Sequence, residues 1–247
     1  MNKPPDDLSL PELTTRPLYG RAILTALILL LATLALVVLV VEFVILPATD
    51  ADTTPPVAAD CGTPSDDQAI YRFVPDESEM RYTIAERLRT SGRENTIQGH
   101  TRTLDGFILL DAANPARSRV CEVAVNMASF ESNSATRDRV VRLGYFDVLN
   151  YPQAVFQSAE LRDFPAEPQR GAPVAFVIQG PLTIKGRPVS TTWQVTATLE
   201  GDTLRGTAET TLRLSELGVG PVRIPDFVES GDTVNMRFIF LATRATP

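Results

Sequence analysis

The chain has 247 residues, is 44% apolar and 21% charged, carries a net charge of −7, and contains 19 prolines, two cysteines and one histidine. That inventory excludes a wholly disordered chain and a disulfide-dense scaffold, and the shortage of Lys and Arg excludes the basic footprint that phosphate binding needs. No nucleic-acid partner is expected. The averages conceal an uneven distribution: residues 1–21 hold three basic and three acidic side chains, residues 22–41 hold none, and residues 42–71 hold six acidic and no basic ones. The remaining 20 basic and 21 acidic residues almost cancel.

Eight of the 20 uncharged residues at 22–41 are leucine, and apart from Glu42 the apolar run continues to Leu46. A helix of that length matches the roughly 30 Å hydrocarbon core of a bilayer, so residues 22–46 are expected to form a single transmembrane helix. A cleaved secretory signal would have an apolar core of about 7–15 residues close to the start. Here 21 residues come first and no small-x-small site follows, which points to an uncleaved signal anchor. Lys3, Arg16 and Arg21 precede the span and no basic residue occurs among the 30 residues from Glu42. By the positive-inside rule residues 1–21 form a cytoplasmic tail and the rest lies outside the cytoplasmic membrane. Residues 47–68, rich in Pro, Thr, Ala and Asp without helix or strand period, read as an extended acidic stalk.

From residue 69 to 245 the pattern changes to period two. Glu79-Met80-Arg81-Tyr82-Thr83-Ile84, Thr191-Thr192-Trp193-Gln194-Val195-Thr196 and Asn235-Met236-Arg237-Phe238-Ile239-Phe240 alternate polar and apolar, as strands with one wet and one dry face must. Similar stretches recur near 104–110, 119–128, 154–161, 174–184 and 203–214, separated by Gly, Pro, Asn or Asp. About eight such strands predict an all-β, extended antiparallel eight-stranded barrel. One interval differs: residues 134–143, with Asn133 or Ser134 as N-cap and Gly144 as stop, read as a short inserted helix. A closed eight-stranded sheet can hold one small ligand. The expected inward face comprises Met80, Tyr82, Ile84 and Phe107 early in the domain, Val123, Phe156, Phe176 and Ile178 in its middle, and Trp193, Val195, Phe238 and Phe240 late.

Catalytic and metal chemistry lacks its usual partners. His100 has no second His or Cys at metal-ligand spacing and no nucleophile constellation around it, and Leu217-Gly218-Val219-Gly220-Pro221 lacks the Lys of a phosphate loop. No catalytic residue, metal or cofactor is expected; an enzyme acting on a lipid head group would need an acidic side chain facing inward. Cys61 and Cys121 would both lie outside the cytoplasm, where a disulfide persists. Alternatively Cys121, on the alternating face of Val123, Val125 and Met127, is a small buried apolar side chain.

Several motifs now stand in one order. Gln98-Gly99-His100-Thr101 with Leu104-Asp105-Gly106-Phe107 is followed by Asn133-Ser134-Ala135-Thr136-Arg137-Asp138. Then come Tyr145-Phe146-Asp147-Val148, Tyr151-Pro152, Phe156-Gln157-Ser158, Gly180-Pro181-Leu182-Thr183-Ile184-Lys185-Gly186 and Gly231-Asp232-Thr233-Val234. This series, across residues 70–243, resembles the YceI-like family. The resemblance implies a lipocalin-like barrel with a long apolar pocket, in bacteria and commonly periplasmic, that binds polyisoprenoid lipids or isoprenoid quinones. Glu77-Ser78 stands where many members have His-Ser, and Glu216-Leu217-Gly218 where they have Asp-Phe-Gly. The expected function is a membrane-tethered carrier of an isoprenoid lipid or quinone; the alternative is an envelope interaction module with a filled core.

Overall fold

The computed structural model describes residues 61, 64–65, 67–111, 113–157, 160–165 and 171–245. The expected cytoplasmic tail, the span at 22–46 and the stalk up to residue 60 lie outside the described residues. Among the described residues no helix is long and apolar enough to cross a membrane. Contacts divide the chain into Met1–Thr54 and Pro55–Pro247, and everything described belongs to the second unit.

The strands are β1 (Gln68–Phe73), β2 (Glu79–Leu88), β3 (Glu94–Thr101), β4 (Leu104–Asp111), β5 (Arg119–Asn126) and β6 (Glu131–Ser132). A helix, α1 (Ala135–Val140), precedes β7 (Gln153–Phe156), β8 (Glu160–Arg162), β9 (Val174–Ile184), β10 (Arg187–Glu200), β11 (Thr203–Arg213), β12 (Arg223–Ile224) and β13 (Val228–Arg244). Twelve of these strands build eight staves, and β12 forms a short hairpin with the start of β13. β1 and β2 lie end to end along β13, β4 pairs β1 while β3 pairs β2, and β5 and β6 continue the pattern on the far side of β4 and β3. β7 and β8 both pair β9, and β9, β10, β11 and β13 follow as single long antiparallel strands. Pairing of β13 with β1 and β2 closes the ring, which removes the open edges that an eight-stranded sheet would otherwise expose. The unit is therefore self-contained: each barrel strand finds its partners within it.

The breaks within staves have local causes. Between β1 and β2 the tight turn Pro75–Glu77 leaves the ladder, and the fully buried Ser78 hydroxyl takes over. It accepts from Leu241 N at 3.1 Å and donates to Leu241 O at 3.2 Å. Between β5 and β6 the Asn126 side chain accepts from Ala128 N at 2.8 Å and bends the strand. The barrel's curvature also needs close approach. A Cβ on Gly206 would stand 2.4 Å from the Thr196 carbonyl oxygen and 2.8 Å from the Phe240 ring, so only glycine fits there.

Helix α1 is capped by Ser134, whose hydroxyl accepts from Arg137 N at 3.4 Å. It does not stop at Gly144 as its sequence suggests. The chain widens into a π-type turn, Val141–Tyr145, with Phe146 N donating to Val141 O at 3.0 Å. Arg137 and Asp138 fasten the helix to the barrel. The Arg137 guanidinium pairs with Glu86 of β2 at 3.1 Å, and Asp138 accepts from Ser132 N at 2.8 Å and Ser132 Oγ at 2.5 Å.

Cys61 is bonded to Cys121, with Cα atoms 5.6 Å apart and a sequence separation of 60. Cys121 is the extra residue of a bulge: Phe107 pairs Glu122 and Ile108 pairs Val120, which leaves 121 without an opposite number. A cross-link closing a loop of that length removes about 4 kcal/mol of unfolded-state entropy. Urea unfolding of residues 55–247 with and without reductant is expected to differ by about that amount. Equal midpoints would show that the bridge adds no stability.

Candidate binding chambers

Inside the barrel two apolar chambers lie one above the other. The first encloses about 280 Å³ and is lined by Phe73, Val195, Leu204, Ala208, Phe238 and Phe240 among others. The second, about 150 Å³, lies below α1 and is lined by Tyr82, Ile84, Phe130, Phe146, Leu214 and Leu217 among others. Met80, Val123, Phe156 and Trp193 line both, so these four side chains form a waist between them. Together the chambers stand at the low end of the roughly 300–1,000 Å³ range of small-molecule pockets.

The waist is built from the strand period and fixed by polar contacts. Trp193 and Phe156 meet edge to face at 5.9 Å. The buried Trp193 Nε1–H donates to Thr191 Oγ1 at 3.0 Å, and that hydroxyl donates to Gly180 O at 3.2 Å. An indole whose one polar atom is satisfied holds a single orientation in an apolar interior. In the first chamber Phe73 packs edge-on against Phe238 at 5.3 Å and Phe240 at 5.9 Å. In the second the Tyr82 ring stacks obliquely on Phe130 at 5.7 Å, and burial pushes its hydroxyl pKa up. Gly99 makes room for that ring: a Cβ there would stand 2.3 Å from it.

Of the residues expected to face inward, Phe176, Ile178, Val195, Phe238 and Phe240 line the first chamber, Tyr82 and Ile84 the second, and Met80, Val123, Phe156 and Trp193 the waist. Phe107 is a correction. It is half-buried with the Arg72 guanidinium 5.6 Å from its ring centre, and the inner positions of β4 belong to Leu104, Ile108 and Leu110 instead. The run Ile108-Leu109-Leu110 carries no alternation of its own, so the phase of this strand is set by pairing with its neighbours, and a one-residue shift reverses every side chain. Alternation also missed lining residues outside regular strands. Phe146 lies in the turn after α1 and Leu217 in the loop after β11; both sit at the centre of motifs named above. Phe164, stacked on Phe176 at 5.3 Å, closes the first chamber from a loop with no period at all.

Three carboxylates reach the lining, Asp111 at the first chamber and Glu86 and Asp138 at the second. Asp111 at the first chamber accepts from Ala113 N at 3.1 Å and Asn114 N at 2.8 Å, and lies 3.4 Å from Arg117. Glu86 at the second is the partner of Arg137. Asp111 organises a turn, Glu86 an ion pair, and Asp138, through Ser132, the start of the helical segment. His100 is exposed on β3, outside the chambers. Among the described residues no group of three or more His, Cys, Asp or Glu is arranged to hold a metal.

A closed eight-stranded antiparallel sheet around an apolar interior volume defines a barrel of the lipocalin kind. Residues 71–241 match the YceI-like domain, and the chain belongs to that family. Its fold is similar to the crystal structure of Burkholderia cenocepacia BcnA, with a TM-score of 0.56 and 22% identity, covering 69% of this chain and 99% of that one. It is also similar to a polyisoprenoid-binding domain from Saccharophagus degradans implicated in plant cell wall breakdown, with a TM-score of 0.52, 12% identity, and coverage of 71% and 98%. No curated protein matches the chain.

Proposed function

We propose that this protein is a membrane-tethered carrier that sequesters or ferries an isoprenoid lipid or quinone in the barrel interior. The observation that carries the reading is the pair of adjoining apolar chambers: a core evolved only for packing leaves few voids larger than a water, whereas here about 280 Å³ and 150 Å³ stay open on either side of a waist. Family membership and the Saccharophagus domain's polyisoprenoid binding support the same ligand class. Each methylene moved from water into such a chamber contributes about 0.8 kcal/mol. The bilayer offers the chain a similar gain, so exchange between protein and membrane runs near balance. Tethering by residues 22–46, with the N-terminus inside and the barrel on the periplasmic side of a bacterial cytoplasmic membrane, keeps the carrier beside its lipid source; the charge pattern supports that placement.

The test is organic extraction of the purified protein followed by mass spectrometry, with Trp193, the single tryptophan, as a fluorescence reporter for added prenyl lipids. The expected result is a bound prenyl chain and a Trp193 signal that saturates on titration. Ala208, buried in the first chamber and paired with Val195 and Phe238, is the control position. Ala208→Phe fills the chamber and is expected to lower retained lipid at least tenfold while the far-ultraviolet circular dichroism stays that of a barrel. A protein that is consistently empty and takes up no added prenyl lipid would overturn the reading.

A further inference from the structure

The two ends of the barrel differ in charge. Cys61, Ser65 and Gln68 lie at one end, held there by the Cys61–Cys121 bond and by Arg117, which donates from Nη2 to Ser65 Oγ and accepts from Gln68 Nε2 at its carbonyl. The turns and strand ends there carry Asp67, Asp111, Asp163, Glu200 and Asp202 against Arg117, Arg119, Arg162 and Arg244. At the opposite end the balance reverses. The β2–β3 turn brings Arg89 and Arg93, the β9–β10 turn Lys185 and Arg187, and the helical segment Arg139 and Arg142. Arg213 and Arg223 complete the set at the ends of β11 and β12. Against these eight stand Glu94, Asp147, Glu216, Asp226, Glu229 and Asp232; Glu229 is held by Arg89 at 3.2 Å and Arg223 at 2.8 Å, and Asp232 accepts from Ser215 N and Oγ.

The basic end also carries the exposed apolar surface. Among the described residues the large apolar side chains that stand out in solvent are Leu143, Leu149, Tyr151 and Phe227, and all four lie there. Leu149 is 74% and Phe227 53% exposed. They belong to one connected surface. The Tyr145 hydroxyl donates to Arg223 O at 2.8 Å and accepts from Arg223 N, which joins the helical segment to the β12–β13 hairpin. Lys185 Nζ donates to Tyr145 O at 2.8 Å, Gly186 lies against the Tyr151 ring, and Arg89 N donates to Phe227 O at 3.0 Å. Asp147 and Asp226 adopt positive φ in the turns that carry the exposed Leu149 and Phe227.

Apolar tips ringed by Lys and Arg match an anionic bilayer: the tips enter the headgroup boundary and the cations meet the lipid charge. We propose that this end of the barrel docks on an anionic lipid surface and that the second chamber, lined by Phe146, Leu217 and Val222 from the same segments, exchanges its ligand there. The exchange rests on the carrier reading; the docking stands without it.

The experiment uses residues 55–247, the self-contained barrel unit, in sedimentation with vesicles of phosphatidylcholine alone or mixed equally with phosphatidylglycerol. Expected are binding to the mixed vesicles that weakens with added salt, little binding to phosphatidylcholine, and at least tenfold weaker binding by the Leu149→Asp/Phe227→Asp double variant. Arg93→Glu/Arg139→Glu is expected to weaken it similarly, with unchanged thermal melting in both. Absence of binding to anionic vesicles, or binding that both variants retain, overturns the proposal, as does crosslinking through Phe227 to a single envelope protein in place of lipid. Uptake of a prenyl lipid from detergent solution separates the two readings: retained uptake in the double variant alongside lost vesicle binding supports docking, and failed uptake in the parent with intact vesicle binding removes the carrier reading alone.

Discussion

Trp193→Ala is expected to lower the unfolding free energy of the barrel unit by about 3–5 kcal/mol, the usual cost of removing a buried aromatic side chain, and to join the two chambers into one. The indole is 4% exposed and lines both volumes, so its loss opens the waist directly rather than through rearrangement. Bound lipid extracted from the variant should shift toward longer prenyl chains than those held by the parent. Urea unfolding measures the first effect and mass spectrometry of extracts the second. Trp193→Phe keeps a ring at the waist but loses the bond to Thr191, and is expected to cost about 1 kcal/mol with no change in chain length. If Trp193→Ala leaves the chain-length distribution where it was, the waist does not gauge the ligand.

Breaking the Glu86–Arg137 pair is the second large effect. Glu86 is 6% exposed and Arg137 has 13% side-chain exposure, so both charges are removed from most solvent and depend on each other. Arg137→Leu leaves Glu86 buried and uncompensated, at an expected cost of about 3–5 kcal/mol. The double variant Glu86→Leu/Arg137→Leu should recover most of that loss, because neutral side chains need no partner. A double-mutant cycle in urea at neutral pH reads the coupling. Arg137 also donates to Ser132 Oγ at 3.0 Å and Asn133 Oδ1 at 2.9 Å, so part of the loss will stay with the helix cap in the double variant. If Arg137→Leu is as stable as the parent but takes up no prenyl lipid, the arginine serves the ligand rather than the fold.

Much of the barrel is legible along the chain. The alternation around Tyr82, Trp193 and Phe238 is a local property of strands with one dry face, and all three side chains face the interior as that period requires. The helix start was equally visible in Ser134, a cap whose hydroxyl meets a free backbone N–H. Three things were hidden. The continuity of the staves across Pro75–Glu77 and after Asn126 leaves no period along the chain, because a side chain such as Ser78 replaces the missing ladder bond from 163 residues away. The orientation of Phe107 depends on the register of β4 against β1, which sets it opposite Arg72 and which no alternation within β4 marks. Phe146, Phe164 and Leu217 reach the chambers from irregular segments where no period exists to mark them.

Sequence alone determined the class of structure and the distribution of its charge: an apolar run without charge, an acidic segment after it, and a domain whose alternate residues avoid water. These are sums over neighbours in the chain and need no partner to define them. The tertiary structure alone decided where the interior stays open. A chamber is the volume left after side chains from eight staves have been brought into register, and shifting one stave by a residue would close it. It also decided that the basic and apolar loop residues, spread from Arg89 to Phe227, share one end of the barrel, because strand direction reverses at every turn and returns distant segments to the same rim.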